Sequence, residues 1–159
     1  MADTIGRLAY DEAKSAITAQ ASVLDGLRAR AGTLLAAASL VTSFLGGQVL
    51  AKPQLASGVV SRPSIGTEGW AAIVCFVGLA VLALAILWPY KWRFVLSAGT
   101  ILSNGESSDF EGAQKELAEY HETNHDLNED KLGRLFWCFR FACALLVAET
   151  IAWILDLSG

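Results

Sequence analysis

Charge is missing from long stretches of this chain. Only 18% of its 159 residues are charged, and the runs Ala31–Ala51 and Gly69–Tyr90 contain no charged side chain at all. A third run, Leu135–Leu155, carries only Arg140 and Glu149. Basic excess is also lacking: the net charge of −4 argues against a nucleic-acid binder, which would show a basic stripe. Cysteine is scarce, and Cys75, Cys138 and Cys143 all fall inside apolar runs, so no disulfide framework is expected and the thiols read as small hydrophobes. No short apolar core precedes a small-residue cleavage site in residues 1–30, which carry Asp3, Asp11, Glu12 and Asp25; a cleavable leader is not expected. Phosphate-cradling loops of the G-x-x-x-x-G-K-[ST] and G-x-G-x-x-G types are absent, as is a G-x-S-x-G elbow. The length leaves no room for a separate soluble catalytic domain, which needs about 100 residues.

What is present is hydrophobic. A bilayer core of about 30 Å needs roughly 20 helical residues to cross it, and each run is long enough. The expectation is an all-α integral membrane protein with three transmembrane helices, at 31–51, 69–90 and 135–155, forming one helical membrane domain over 1–159. Lysine and arginine are sparse between the first two runs (Lys52, Arg62) and more numerous before the first (Arg7, Lys14, Arg28, Arg30) and between the last two (Lys91, Arg93, Lys115, Lys131, Arg134). The positive-inside bias therefore puts residues 1–30 and 91–134 in the cytoplasm, and the 52–68 loop and the C-terminus outside. Trp88, Tyr90, Trp92 and Trp137 would mark the inner headgroup level, Trp70 and Trp153 the outer. Arg28, Arg30, Lys91, Arg93 and Arg134 would collar the inner surface and meet lipid headgroups.

The two cytoplasmic segments carry matching stripes. Tyr10, Ala13, Ile17, Gln20, Leu24, Leu27, Ala31 and Leu34 alternate steps of three and four, which predicts a helix entering the first span unbroken. In the second segment a turn-prone stretch, Ser103–Ser108, precedes a capping box of Ser108 and Glu111. A helix over 108–132 then shows Phe110, Ala113, Leu117, Tyr120, Asn124 and Leu127 at the same spacing, with Gly133 as its weak point. Gln20 lies as far before Ala31 as Asn124 lies before Leu135, so the two amides would be level and hydrogen-bond, fixing register. The second helix is strongly acidic, which reads as a solvated face or as repulsion relieved by a ligand or cation.

Glu149 is the most informative single residue. It lies about 9 Å inside the third span at 1.5 Å per residue, where ionisable groups are costly and default to function. Arg140, on the opposite face, would snorkel instead. The first span offers Gly32, Ala36, Ser39, Ser43 and Gly46 as a small face, with Thr42 and Gln48 nearby. That face packs closely against another helix or, with Glu149, lines a narrow path in an oligomer as a ring of carboxylates.

Both histidines sit in His121-Glu122-Thr123-Asn124-His125, an H-E-x-x-H pattern that places two zinc ligands one helical turn apart. Glu129 would supply a third ligand. The zincin continuation is missing and no length remains for a substrate-binding sheet, so a structural zinc ion is preferred over proteolysis, and no cofactor over either.

The entry segment Gln20-Ala21-Ser22-Val23-Leu24-Asp25-Gly26-Leu27-Arg28-Ala29-Arg30-Ala31-Gly32-Thr33-Leu34-Leu35, and the acidic helix with Leu117-Ala118-Glu119-Tyr120 and Asn124, resemble small bacterial membrane effectors of nucleotide-signalling immunity. These are the SLATT domain and the Pycsar-type transmembrane effector. The resemblance implies a multi-pass protein of the bacterial inner membrane that homo-oligomerises and impairs that membrane in antiviral defence, on a nucleotide second messenger or an associated signalling protein. The chain departs from the SLATT pattern in having three spans rather than two, and no nucleotide-binding residues transfer. Rival readings are a non-conducting scaffold that recruits a cytoplasmic partner through the acidic helix, and the zinc protease.

Overall fold

A computed structural model describes residues 2–51, 55–56, 59–60, 65–90, 92 and 110–158. Three helices account for nearly all of them: α1 (Ala2–Ala51), α2 (Thr67–Leu87) and α3 (Phe110–Ser158). All three are long and apolar enough to cross a membrane. Within the expected 52–68 loop, β1 (Leu55–Ala56) and β2 (Val59–Val60) form a two-residue antiparallel ladder, with Leu55 opposite Val60 and Ala56 opposite Val59. The Ser103–Ser108 turn and the Ser108 side of the capping box lie outside the described residues, as do Lys91 and Arg93 of the basic collar.

Helix ends follow local chemistry, with two departures from expectation. α2 stops at Leu87 rather than at Tyr90. Pro89 disfavours a helical conformation in the residue before it, and Trp88 is extended, with φ −58° and ψ 136°. Helix α3 does not break near Gly133 but runs continuously into the third apolar run. A glycine costs about 1 kcal/mol in a helix interior, which packing on both flanks offsets.

The chain divides into two compact units, Met1–Gly26 with Pro89–Arg134 (the polar unit) and Leu27–Trp88 with Leu135–Gly159 (the apolar unit). In the apolar unit, Ala38, Leu79 and Ala142 form one buried layer and Val49, Ala72 and Trp153 another. These layers make α1 and α3 parallel there, with α2 antiparallel to both. Small residues let the backbones approach: a Cβ added at Gly46 would lie 3.1 Å from Trp153 Cη2, and one at Gly78 3.2 Å from Leu145 Cδ1. Trp153 is therefore a core residue, not the outer-interface anchor expected from its position; Trp70 is 60% exposed.

Outside this core the apolar unit is covered with large hydrophobic side chains. Leu40, Phe44, Val74, Val81, Phe141 and Val147 are all more than half exposed. The buried positions mix small residues, Ala38, Ala72, Ala83 and Ala142, with Leu79, Ile86 and Trp153 and the single acid Glu149. A water-soluble bundle rarely exposes so many large apolar side chains.

In the polar unit, the α1 stripe is buried as the spacing predicts, with Ile17, Gln20 and Leu24 at its centre. The α3 stripe keeps its period and shifts its phase. Tyr120 and Leu127 are 41% and 47% exposed, whereas His121, Asn124 and Asn128 are buried. The face that α3 presents to α1 is the polar one, and Tyr120 and Leu127 lie beside it; the side chains of Phe110 and Ala113 lie outside the described residues.

Candidate functional site

Two groups of chemistry-bearing side chains emerge, one in each unit. In the apolar unit Glu149 is fully buried, and the Thr42 hydroxyl donates a hydrogen bond to its Oε1. The pair forms because both residues lie on the facing stripes of parallel helices. Glu149 Oε2 and Trp153 Nε1, one turn further on, have no partner among the described residues. Glu149 thus sits inside the three-helix packing of a single chain.

The other polar residues of the first span are distributed differently. Ser39 is half-buried and donates back to the Leu35 carbonyl of its own helix at 2.8 Å. Ser43 and Gln48 are exposed on the outer surface. The packed side of α1 therefore carries Ala31, Ala38, Thr42, Gly46 and Val49 rather than the whole Gly32–Ala36–Ser39–Ser43–Gly46 face. The reason is continuity: α1 keeps the phase set by Ile17, Gln20, Leu24 and Leu27. Arg140 is exposed and stacks over the Trp137 ring at 5.2 Å, away from Glu149.

Asp156 escaped the sequence reading. Its carboxylate lies against the first turn of α2, where Gly66 and Gly69 leave it space; a Cβ at Gly69 would be 2.8 Å from Oδ2. An acidic group there meets the positive end of the helix dipole. Its place one residue past the third apolar run was the available signal.

In the polar unit, Gln20 and Asn124 are both buried. Gln20 Nε2 donates to the backbone carbonyl of His125 at 3.0 Å, the residue after Asn124, and Gln20 Oε1 has no partner among the described residues. Asn128 is 1% exposed, with both amide atoms unpartnered among the described residues.

Next to this register point, Ala9, Ala13 and Ala16 of α1 and Ala118 of α3 leave a cavity of about 300 Å³, also lined by Glu12, His121, Glu122 and His125. His121 is 6% exposed; its ring packs against Tyr10 with centroids 5.8 Å apart, and Nδ1 has no partner among the described residues. Burial, and secondarily the Lys14 ammonium, hold the His121 pKa below its ordinary value. His125 is half-buried, with Nδ1 3.7 Å from Asp126 Oδ1 and 4.0 Å from Glu129 Oε2. These three residues can bring donor atoms within 4.8 Å of one another. Of the expected zinc set His121, His125 and Glu129, the last two are therefore together, with Asp126 in place of His121. No protein-family model, curated protein or solved structure matches this chain.

Proposed function

We propose that this protein is an oligomeric membrane effector that changes the ion permeability or integrity of a bacterial inner membrane. The supporting observation is the apolar exterior of the apolar unit, with Leu40, Phe44, Val81 and Phe141 outward and Glu149 buried within. Lipid is the solvent such a surface suits, and closely packed small residues are how helices associate within lipid. The positive-inside bias orients the N-terminus to the cytoplasm and the C-terminus outside.

Three helices enclose no water-filled path, so permeability requires several copies. Glu149 is buried within one chain, and its role in this reading is to hold α1 and α3 together through Thr42, opening as the subunits rearrange. The signal is a nucleotide second messenger or an associated signalling protein acting on the cytoplasmic helices, in the setting of antiviral defence. A scaffold reading is favoured by a separate observation: Glu119, Glu122, Asp126, Glu129 and Asp130 are all exposed along α3 and offer a docking face to a basic partner.

Ion efflux from liposomes holding the full chain tests the proposal. The wild-type protein is expected to release a trapped cation, and Glu149→Gln to change the rate severalfold at equal incorporation. A protein that never conducts, alone or with added nucleotide or cell extract, and that stays monomeric in detergent, would leave the scaffold as the surviving reading.

A further inference from the structure

We propose that copies of this chain join through their polar units head to tail, Tyr120 of each copy seating in the alanine-lined cavity of the next. The inference rests on the oligomer reading above and adds to it which surfaces meet.

The two surfaces stand back to back on one helix pair. Tyr10 meets His121 and Gln20 meets His125, so α1 and α3 run parallel through the polar unit. The cavity of about 300 Å³ lies on one side, lined by Ala9, Ala13, Ala16 and Ala118, with the exposed carboxylates of Glu12 and Glu122 at its rim. At 3.6 residues per turn, Tyr120 and Leu127 lie about 170° around α3 from the lining residues Ala118, Glu122 and His125. Both are exposed and form a ridge on the other side. Lys14 is exposed and close enough to His121 to lower its pKa. The Tyr120 ring packs edge-on against the same imidazole at 6.3 Å, so the ammonium belongs to the ridge.

Ridge and cavity suit each other in depth, size and charge. Copies held in one bilayer with a common orientation are related by rotation about the membrane normal, so each residue meets neighbours at its own level. Tyr120 is two residues, about 3 Å along the axis, from the levels of Ala118 and Glu122. Its ring reaches the cavity of the next copy without a shift along the helix, and its hydroxyl can donate to Glu12 or Glu122. Tyrosine suits such a contact because it brings a large apolar ring with a polar tip.

Charge selects this pairing over a symmetric one. A two-fold contact sets cavity against cavity, crowding the Glu12 and Glu122 carboxylates of both copies, or ridge against ridge, facing Lys14 with Lys14. The head-to-tail contact brings Lys14 to the acidic rim instead. Glu116, one turn from Tyr120 on the same ridge, opposes it. A contact between two different faces repeats from copy to copy, and in the plane of one membrane the repetition closes as a ring.

Disulfide trapping of the full chain in liposomes tests the contact. Ala16→Cys marks the cavity, and Thr123→Cys marks the ridge, being exposed and about 60° from Tyr120 around α3. The two positions are on opposite sides of the helix pair, so they do not pair within one copy. On oxidation the double variant should give a ladder of dimers, trimers and larger species. Either substitution alone should add nothing to the wild-type background from Cys75, Cys138 and Cys143. Placed in the double variant, Tyr120→Ala and Lys14→Glu should each cut the ladder severalfold, and Glu116→Gln should strengthen it. All three side chains are exposed, so the helix pair should persist, which circular dichroism checks. Dimers trapped by Ala16→Cys alone or by Thr123→Cys alone would show symmetric pairing and overturn the proposal, as would a ladder indifferent to Tyr120→Ala. A chain that is oligomeric by light scattering yet never trapped by this pair would overturn the contact and leave the oligomer reading standing. A monomer would end both.

Discussion

Thr42 and Glu149 show what one hydrogen bond is asked to do where water is absent. Glu149 is fully buried, and the Thr42 hydroxyl is the donor to its Oε1. Thr42→Val keeps the shape and removes the donor, leaving a buried carboxyl unsatisfied at a cost of about 1–3 kcal/mol. Thermal unfolding in detergent should show a lower midpoint for Thr42→Val and near-recovery for Thr42→Ser; equal stability of all three proteins would mean the bond contributes nothing. Glu149 was legible in the sequence because a lone acid in an apolar run stands out. Its partner was harder to isolate, since Ser39, Thr42, Ser43 and Gln48 are chemically similar and only helix phase separates them. Ser43 and Gln48 emerge on the outside for that reason.

Phase is also where the element-scale reading succeeded and failed. On α1 the stripe from Tyr10 to Leu34 was apolar enough to fix the buried face, and Gln20 was recognised as its polar exception. On α3 the same rule selected Tyr120 and Leu127, because it weights hydrophobicity. The helix keeps Asn124, the stripe's polar member, inward and adds His121 and Asn128 beside it. A polar interface between two helices is invisible to a hydrophobic-period argument, although the 3.5-residue repeat itself was right. Gly133 misled in a simpler way, as a local weakness inside a long helix stabilised on both sides. A Cβ there meets nothing within 4 Å. Gly133→Ala should therefore stabilise the protein by up to about 1 kcal/mol through helix propensity alone. Thermal unfolding of that variant checks it; a lower midpoint would mean that α3 needs to bend at this position.

For the whole molecule, the question is what covers the apolar unit. Most of its exposed surface suits lipid tails, but Ser43 and Gln48 are polar and face outward from the same helix as exposed Leu40, Phe44 and Gly47. A side-chain amide facing hydrocarbon is unfavourable, and in membranes such groups commonly hydrogen-bond across helices. Under the oligomer reading these residues belong to the contact between copies or to its water-filled centre. Replacing both, Ser43→Leu with Gln48→Leu, removes nothing from the core of a single chain, so folding and membrane insertion should be unaffected. Chemical crosslinking in liposomes should then shift toward monomer, and cation efflux should fall in parallel. Assembly unchanged by the double substitution would place this face against lipid and move the subunit contact to the α2 or α3 surface, where Val74, Val81, Phe141 and Val147 are exposed. If efflux falls while assembly persists, the same two residues line the conduction path instead of holding the copies together.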